Sequence, residues 1–569
     1  MKLTRSMIVL VVVMLFSAVT AFAAPKRFEH IIVIVQENRT PDNLFHELCD
    51  VGCSTTDRTR YNIKQDNWPL QQSTTLTVTP QPTPLVVTYD LGHSHADFVS
   101  MCDWVSATAG QKGYCKMDGP TECKPPKCPP NILCLNPCPS NEQQNAQVNY
   151  VQSSDVRQYL QMAIHYGWAN KMFQTNQGPS FPAHQFIFAG TSAPTDGDDD
   201  DAIFAADNTP NGYYGCSDVQ SPPDPNRSVR VISDNDSTTP PYYPGVEPDQ
   251  TTATQAPCFT HARVLTDLLD AHTNSQGQKD PVSWKYYSFE PIWTAPNAID
   301  SICISTPPPA GGTKNVCGGQ YYTEHVVRPG NEDATQAGVL HDIKNGCNGL
   351  AGVSWVIPTM ATNSDHAGWD GAGGGPAWVT SIVDAIGDSP CGYWNNTAII
   401  VTWDDWGGWY DHEPPPIPAG TQKWADYQYG FRVPLLFISA YTPPSYINNN
   451  PQDFGSILRF IEHNFTLVND DNGKSGPGAL GFADARGPNG VTDHLAGFYD
   501  LTATPRSFHD IPSTWPPCAN GQRWDLTNGA CECPDRSQWD SYTGSCVCPK
   551  GTMLDPTGHC IHCDPSTCF

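Results

Sequence analysis

The sequence predicts an α/β fold: a three-layer α/β/α sandwich around a mostly parallel central sheet, followed by a small disulfide-rich C-terminal module. Three observations carry this expectation. Continuous apolar, β-branched runs recur along the chain, and unbroken apolarity marks strands covered on both faces rather than one. Segments with apolar residues at three-to-four spacing lie between those runs, the alternation that a parallel sheet flanked by helices requires. Eight of the 22 cysteines fall after residue 500 and recur there at a regular step.

The strands are expected at His30–Gln36 (HIIVIVQ), Val353–Ile357 (VSWVI), Thr397–Trp403 (TAIIVTW) and Val433–Ala440 (VPLLFISA). Helical spacing appears over Asp155–Tyr166, His261–Ala271, Pro376–Ile386 and Phe454–Asn464. The 53 prolines and 46 glycines gather in long connections, so loop insertions are expected near residues 115–140 and 195–252. The Asp198–Asp201 run in the second insertion reads as a solvated acidic turn, with calcium as the alternative; the EF-hand spacing is missing.

At the N-terminus, Lys2 and Arg5 precede the apolar run Met7–Phe16, and Ala21-Phe22-Ala23 offers a cleavage site before Pro25. That is the pattern of a secretory signal peptide over residues 1–24. No later run approaches the roughly 20 apolar residues of a membrane span, so a secreted protein, extracellular or periplasmic, is expected. The cysteines agree, with 14 before residue 500 and 8 after it, as self-contained pairing in two regions requires. Residues 25–515 then form the main domain and 516–569 a cysteine-rich module. In that module Trp524 with Cys531-x-Cys533, Trp539 with Cys546-x-Cys548, and Met553 with Cys560 and Cys563 repeat in sequence order. A unit so small needs staples; disulfides fit the compartment, zinc is the rival, and attachment to a surface or another protein is one role for the module.

The formal charge is −27, from 58 acidic and 31 basic side chains, yet only 16% of residues are charged. Scarce Lys and Arg argue against nucleic acid or anionic membrane as the primary partner and favour a small or neutral-surfaced substrate.

In open α/β sheets ligands bind beyond the carboxyl ends of the strands, which singles out the polar residues following each run. After HIIVIVQ come Glu37 and Asn38; after TAIIVTW come Asp404 and Asp405. Three carboxylates and an amide at strand ends repel and lose hydration unless a cation neutralises them. One divalent ion is therefore expected, with Mg²⁺, Mn²⁺ or Ca²⁺ favoured by oxygen ligands and Fe or Zn left open. Capping of a Gly-rich turn is the alternative for the two aspartates. In Gln177-Gly178-Pro179-Ser180-Phe181-Pro182-Ala183-His184, Pro182 suits the first turn of a helix. Ser180 then sits near an N-terminus that attracts phosphate, as a nucleophile or as an ordinary N-cap. His93, His95, His366 and His412 are the imidazoles available to bind a phosphoryl oxygen or move a proton; the H-x-H pair His93/His95 also permits zinc.

Taken in order, HIIVIVQENRTPDNLF (30–45), YDLGHSHADF (89–98), QGPSFPAHQFIFAG (177–190), NGLAGVSWVIPT (348–359), TAIIVTWDDWGGWYDHEPPP (397–416) and GSILRFIEHNF (455–465) resemble the secreted phosphoesterases that join non-haemolytic phospholipases C with bacterial acid phosphatases. The resemblance implies an alkaline-phosphatase-like core with one metal held by Glu37, Asn38, Asp404, Asp405 and the nucleophile Ser180. It also implies His93 and His366 as phosphate-binding or proton-transferring groups. His95 and His412 are candidate substrate contacts on their imidazole chemistry alone. The phospholipase branch looks like G-P-T-x-P-N-R; this chain has Ser180 and His184 instead, closer to the acid phosphatases. The segment is also similar to the sulfatase signature S-x-P-x-R, but the arginine is missing. The expected activity is hydrolysis of a small phosphate ester or a phospholipid. The rival from another class is a secreted binding protein that keeps the fold without turnover.

Overall fold

The computed structural model describes most of residues 27–512, apart from internal stretches such as 106–113, 125–145, 219–228, 234–253, 329–337, 417–428 and 468–479, together with six short strands between residues 523 and 562. The signal-peptide segment and much of both insertions lie outside the described residues.

The main elements, in chain order, are β1 (His30–Gln36), α1 (Ser153–His165), β2 (Gly167–Ala169), α2 (Ser180–Ala189), β3 (Trp284–Tyr287), β4 (Val326–Val327), α3 (Val339–Lys344), β5 (Val353–Val356), α4 (Gly375–Gly387), β6 (Thr397–Trp403), β7 (Leu435–Ser439), β8 (Tyr446–Asn448) and α5 (Phe454–Phe465). Eight strands form one sheet in the order β4-β3-β5-β1-β6-β7-β2-β8. Every neighbouring pair is parallel except the two that β7 makes with β6 and β2, so a single reversed strand interrupts an otherwise parallel sheet.

The continuous apolar runs occupy the middle of this sheet. All seven residues of β6 are buried, as are the last six of β1, which explains why neither run alternates. Helix α4 packs with α1 and α3, and α5 packs with α2, so two separate helical groups cover the sheet. β1 and β6 pair in full register, from His30 opposite Thr397 to Gln36 opposite Trp403. The Asp404 amide extends that ladder by donating to the Gln36 carbonyl at 2.9 Å. The strands therefore stop at one level and present Glu37 and Asp404 side by side.

The turn after β6 is built to let the two strand ends stay close. Gly407 has φ +62°, a left-handed conformation, and a Cβ there would run into the Asn38 backbone carbonyl. Asn38 is itself left-handed at φ 58°, a region asparagine tolerates better than most residues. Helix α2 begins at Ser180 and ends on Gly190, whose φ of 81° supplies a left-handed C-cap.

Disulfides join Cys49 to Cys53, Cys216 to Cys258, Cys303 to Cys317 and Cys347 to Cys391, and no described cysteine is free. Beyond residue 515 the repeat is a set of three antiparallel hairpins, with Trp524 opposite Cys531, Trp539 opposite Cys546 and Met553 opposite Ile561. No described helix is long and apolar enough to cross a membrane.

Candidate active site

The ends of β1 and β6 and the first turn of α2 converge on one buried cluster. Ser180, the first residue of α2, places Oγ 3.2 Å from Asp405 Oδ2 and 3.4 Å from Glu37 Oε2. Asp404 Oδ1 accepts from the backbone amides of Asn38 at 3.0 Å and Asp405 at 2.7 Å. Asp405 Oδ1 accepts from the Gly407 amide at 2.7 Å. Glu37, Asn38, Asp404 and Asp405 are wholly buried, and Ser180 is almost so.

Three carboxylates thus meet with no arginine or lysine among them in the described residues. Arg39 follows Asn38 directly but turns away: it donates to the Asp365 and Leu85 carbonyls and to Asn43, and lies over the Trp409 ring. Burial pushes the Glu37 carboxyl well above the ordinary carboxylate range, and the neighbouring Asp404 and Asp405 push it the same way. Asp405 is likewise raised well above its usual value, by burial first and by Asp404 second. A cation held among such carboxylates would relieve their mutual repulsion and restore their ordinary ionisation.

The unsatisfied atoms say where that charge belongs. Glu37 Oε1, Asn38 Oδ1 and Asp404 Oδ2 are buried without a hydrogen-bond partner, and so is Nε2 of His184. Buried polar atoms are nearly always paired, so four orphans in one cluster call for a ligand. Three anionic or amide oxygens beside an imidazole are the donor set of a divalent cation, and the residues fit one. Glu37, His184 and Asp404 have ligand atoms close enough together to share one ion.

The other predicted residues fall into three groups. His93 joins the cluster through Asn38, whose Nδ2 lies 3.2 Å from His93 Nε2, while His93 Nδ1 meets the Leu91 carbonyl at 2.7 Å. Burial lowers the His93 pKa, but the carboxylates of Asp405 and Asp90 outweigh it and leave it raised. His366 stands beside His93, ring centroids 5.7 Å apart, with Nδ1 on the Ala367 carbonyl at 2.6 Å and its pKa lowered by burial. His95 is buried at the foot of α2, where Nδ1 meets the Gln177 carbonyl at 2.8 Å and its amide donates to Asp207. His412 belongs to a different network: its ring nitrogens contact Asp42 at 2.7 Å and Asn62 at 3.0 Å.

Two features were not legible as site components. His184 belongs to the quoted motif, but the reading of the residues gave it no role; its position one turn after Ser180 was the available signal. The helix N-terminus is also less open than expected, because the Phe181 amide is capped by the Asn208 side chain at 2.8 Å.

The model of the phosphoesterase family matches residues 28–468, which contain every one of these residues. The chain belongs to the phosphoesterase family. Among curated members related to this phosphoesterase are "Non-hemolytic phospholipase C" of Burkholderia pseudomallei, 32% identical over 144 residues, and the protein of the same name from Pseudomonas aeruginosa, 28% identical over 146. The first match covers 22% of this chain and 20% of the relative, the second 21% of each. "Non-specific phospholipase C4" of Arabidopsis thaliana is 33% identical over 99 residues, covering 16% of this chain and 18% of the relative. The phosphoesterase chain thus spans about a fifth of the length of the curated relatives it matches. A solved structure titled "Crystal structure of Ps i-CgsB in complex with k-i-k-neocarrahexaose" aligns over 56% of this chain and 68% of its own with 15% identity; its TM-score of 0.26 gives it no weight.

Proposed function

We propose that the chain is a secreted, metal-dependent phosphoric ester hydrolase of alkaline-phosphatase-like fold in which Ser180 is the nucleophile. The observation that carries this reading is the Ser180 hydroxyl, 3.2 Å from Asp405 in a buried acidic cluster in which Glu37 Oε1 and Asp404 Oδ2 have no hydrogen-bond partner. Glu37, Asn38, Asp404, Asp405 and Ser180 would hold one divalent ion. Such an ion supplies Lewis-acid polarisation of a phosphoryl oxygen and a lower pKa for a neighbouring hydroxyl.

The chain's own residues do the rest. Asp405 and Glu37 compete for the single Ser180 hydroxyl hydrogen and hold Oγ at the carboxylate cluster. Attack by Oγ on phosphorus, its proton passing to the neighbouring Asp405 carboxylate as the P–O bond to the alcohol breaks opposite, forms a phosphoseryl intermediate that water then hydrolyses. His366 is the proton carrier, because Nδ1 is tied to the Ala367 carbonyl and Nε2 is the nitrogen left for exchange. His93 is held at both nitrogens and fixes the Asn38 amide: in the neutral ring Nε2 accepts from Asn38 Nδ2, which leaves the buried Oδ1 free to act as a ligand. Disulfides and the N-terminal apolar segment agree with export.

The substrate is a phosphate monoester in the acid-phosphatase manner, as Ser180 and His184 suggest. Phospholipase C-type cleavage of a phosphodiester lipid is the second reading, favoured by the names of the curated relatives. Parallel assays on p-nitrophenyl phosphate and phosphatidylcholine choose between them. Ser180→Ala is expected to lower turnover at least about a thousandfold on the preferred substrate, and Asp404→Asn to lower it strongly through metal loss. Turnover within about tenfold of wild type, a change of only 1.4 kcal/mol in barrier, would remove the role assigned to Ser180. A protein that binds metal but hydrolyses neither ester would favour a binding role.

A further inference from the structure

Among the described imidazoles, His184 brings a ring nitrogen within 4 Å of the Glu37 and Asp404 carboxylates, and its surroundings define what that nitrogen can do. We propose that His184 Nε2 is a direct ligand of the cation held by Glu37 and Asp404, and that this nitrogen makes the site select Zn²⁺, Fe²⁺ or Co²⁺ over Mg²⁺ and Ca²⁺. The inference rests on the metal-dependent reading above and moves the choice of ion away from the hard cations that an all-oxygen site favours.

The helix supplies the position. Ser180 and His184 are four residues apart on α2 and so lie on one face, one turn from each other. The His184 side chain is 1% exposed, with Nε2 3.5 Å from Glu37 Oε1 and 3.8 Å from Asp404 Oδ2. All three atoms are buried and none has a hydrogen-bond partner.

The tautomer decides what Nε2 offers. Tyr286 Oη donates its single hydrogen to the Trp293 carbonyl at 2.7 Å. It can therefore only accept from His184 Nδ1, 3.3 Å away, which puts the imidazole hydrogen on Nδ1. Nε2 is left with a lone pair, and that lone pair faces two carboxylate oxygens that also carry lone pairs. Such a contact is repulsive unless an electrophile lies between the three atoms. A cation is one such electrophile; a proton shared between Glu37 and Nε2 is the other. Tyr286 holds the far ring nitrogen and thereby the orientation of the near one, as the hydrogen-bond partners of metal-bound histidines do. An imidazole ligand suits zinc and iron, whereas Mg²⁺ and Ca²⁺ take oxygen ligands.

The test uses the full chain, stripped of metal and reloaded. With Mn²⁺ as a paramagnetic probe, electron spin-echo modulation is expected to show directly bound nitrogen in the wild type and in His93→Gln, and to lose it in His184→Gln. Equilibrium dialysis is expected to show Zn²⁺ binding weakened by at least about 10–100-fold in His184→Gln, the range that even outer-shell losses give, with Mg²⁺ binding unchanged. Bound Mn²⁺ without nitrogen modulation, or modulation that survives in His184→Gln, would overturn the ligand assignment and favour the shared proton while leaving the metal site intact. A wild-type protein that binds no ion would remove both readings. If His184→Gln does not fold, the wild-type and His93→Gln spectra still decide the presence of a nitrogen ligand.

Discussion

Asp365 shows what burial alone does to a side chain next to the site. Its Oδ2 accepts from the Trp403 indole at 3.1 Å, its amide donates to Gln36 at 3.1 Å, and its carbonyl holds Arg39. Burial raises its pKa to about 7, against the pull of the Arg39 guanidinium. The native carboxyl therefore keeps its proton where the unfolded one, near 3.9, has lost it. Between about pH 4 and 7 the native state binds more protons, so this group's contribution to stability falls as the pH rises through that window. Asp365→Asn keeps an acceptor for Trp403 and removes the charge. Urea unfolding of the two proteins is expected to coincide near pH 4 and to diverge in favour of the variant towards pH 8. A constant difference across that range would refute the assignment. At this scale the sequence named His93, His366 and His412 alike, as imidazoles in polar loops. Only the fold put His93 against Asn38 and tied His412 to Asp42 and Asn62.

At the scale of elements, the segment entering β7 is clasped to the segments that follow β1 and β6. Arg432 donates to Asp411 at 2.8 and 2.9 Å, to Asp42 at 3.2 Å and to the carbonyls of Asn62 and Asn170 at 2.7 Å, all in the interior. Burial alone would raise the Asp42 pKa, but His412 and Arg432 outweigh it and leave it lowered. Removing the guanidinium would strand the Asp411 carboxylate and leave His412 as the cationic partner of Asp42, a change that costs about 3–5 kcal/mol when a buried pair is broken. Arg432→Leu is expected to lose stability of that order in urea unfolding; a loss under about 1 kcal/mol would mean that the clasp behaves like an exposed pair. The elements themselves were unequally legible. β1 and β6 lie where their seven-residue apolar runs predicted, and α4 and α5 extend the expected spans by one residue or so. The helix expected from His261 begins instead at Leu265, and β7 is shorter than its run at both ends. β2, β3, β4 and β8 were missed because two to four residues are too few for any periodicity to show.

At the scale of the whole molecule, a buried acidic cluster couples stability to its ligand. An ion that binds only the native state stabilises it by about 2.7 kcal/mol when present at a hundred times its dissociation constant. Chelation is therefore expected to lower the melting temperature of the wild type and to leave Asp404→Asn little changed. In chelator, Asp404→Asn should melt above the wild type, because one of three mutually repelling carboxylates is gone. Identical wild-type melts with and without chelator would argue against a resident ion.

Local chemistry written in consecutive residues was enough to specify the longer covered strands, the helical start near Ser180 and the step at which cysteines recur in the last segment, since each depends on neighbours a few positions away. It also sufficed to nominate Glu37, Asn38, Asp404 and Asp405, because a parallel sheet delivers the residues after its strands to a common edge. Which imidazole enters that edge, which ring nitrogen carries its hydrogen and which charges stay unpaired depended on contacts between residues 55 or more positions apart. Those are set by how helices and loops pack across the sheet, and no stretch of sequence encodes them by itself.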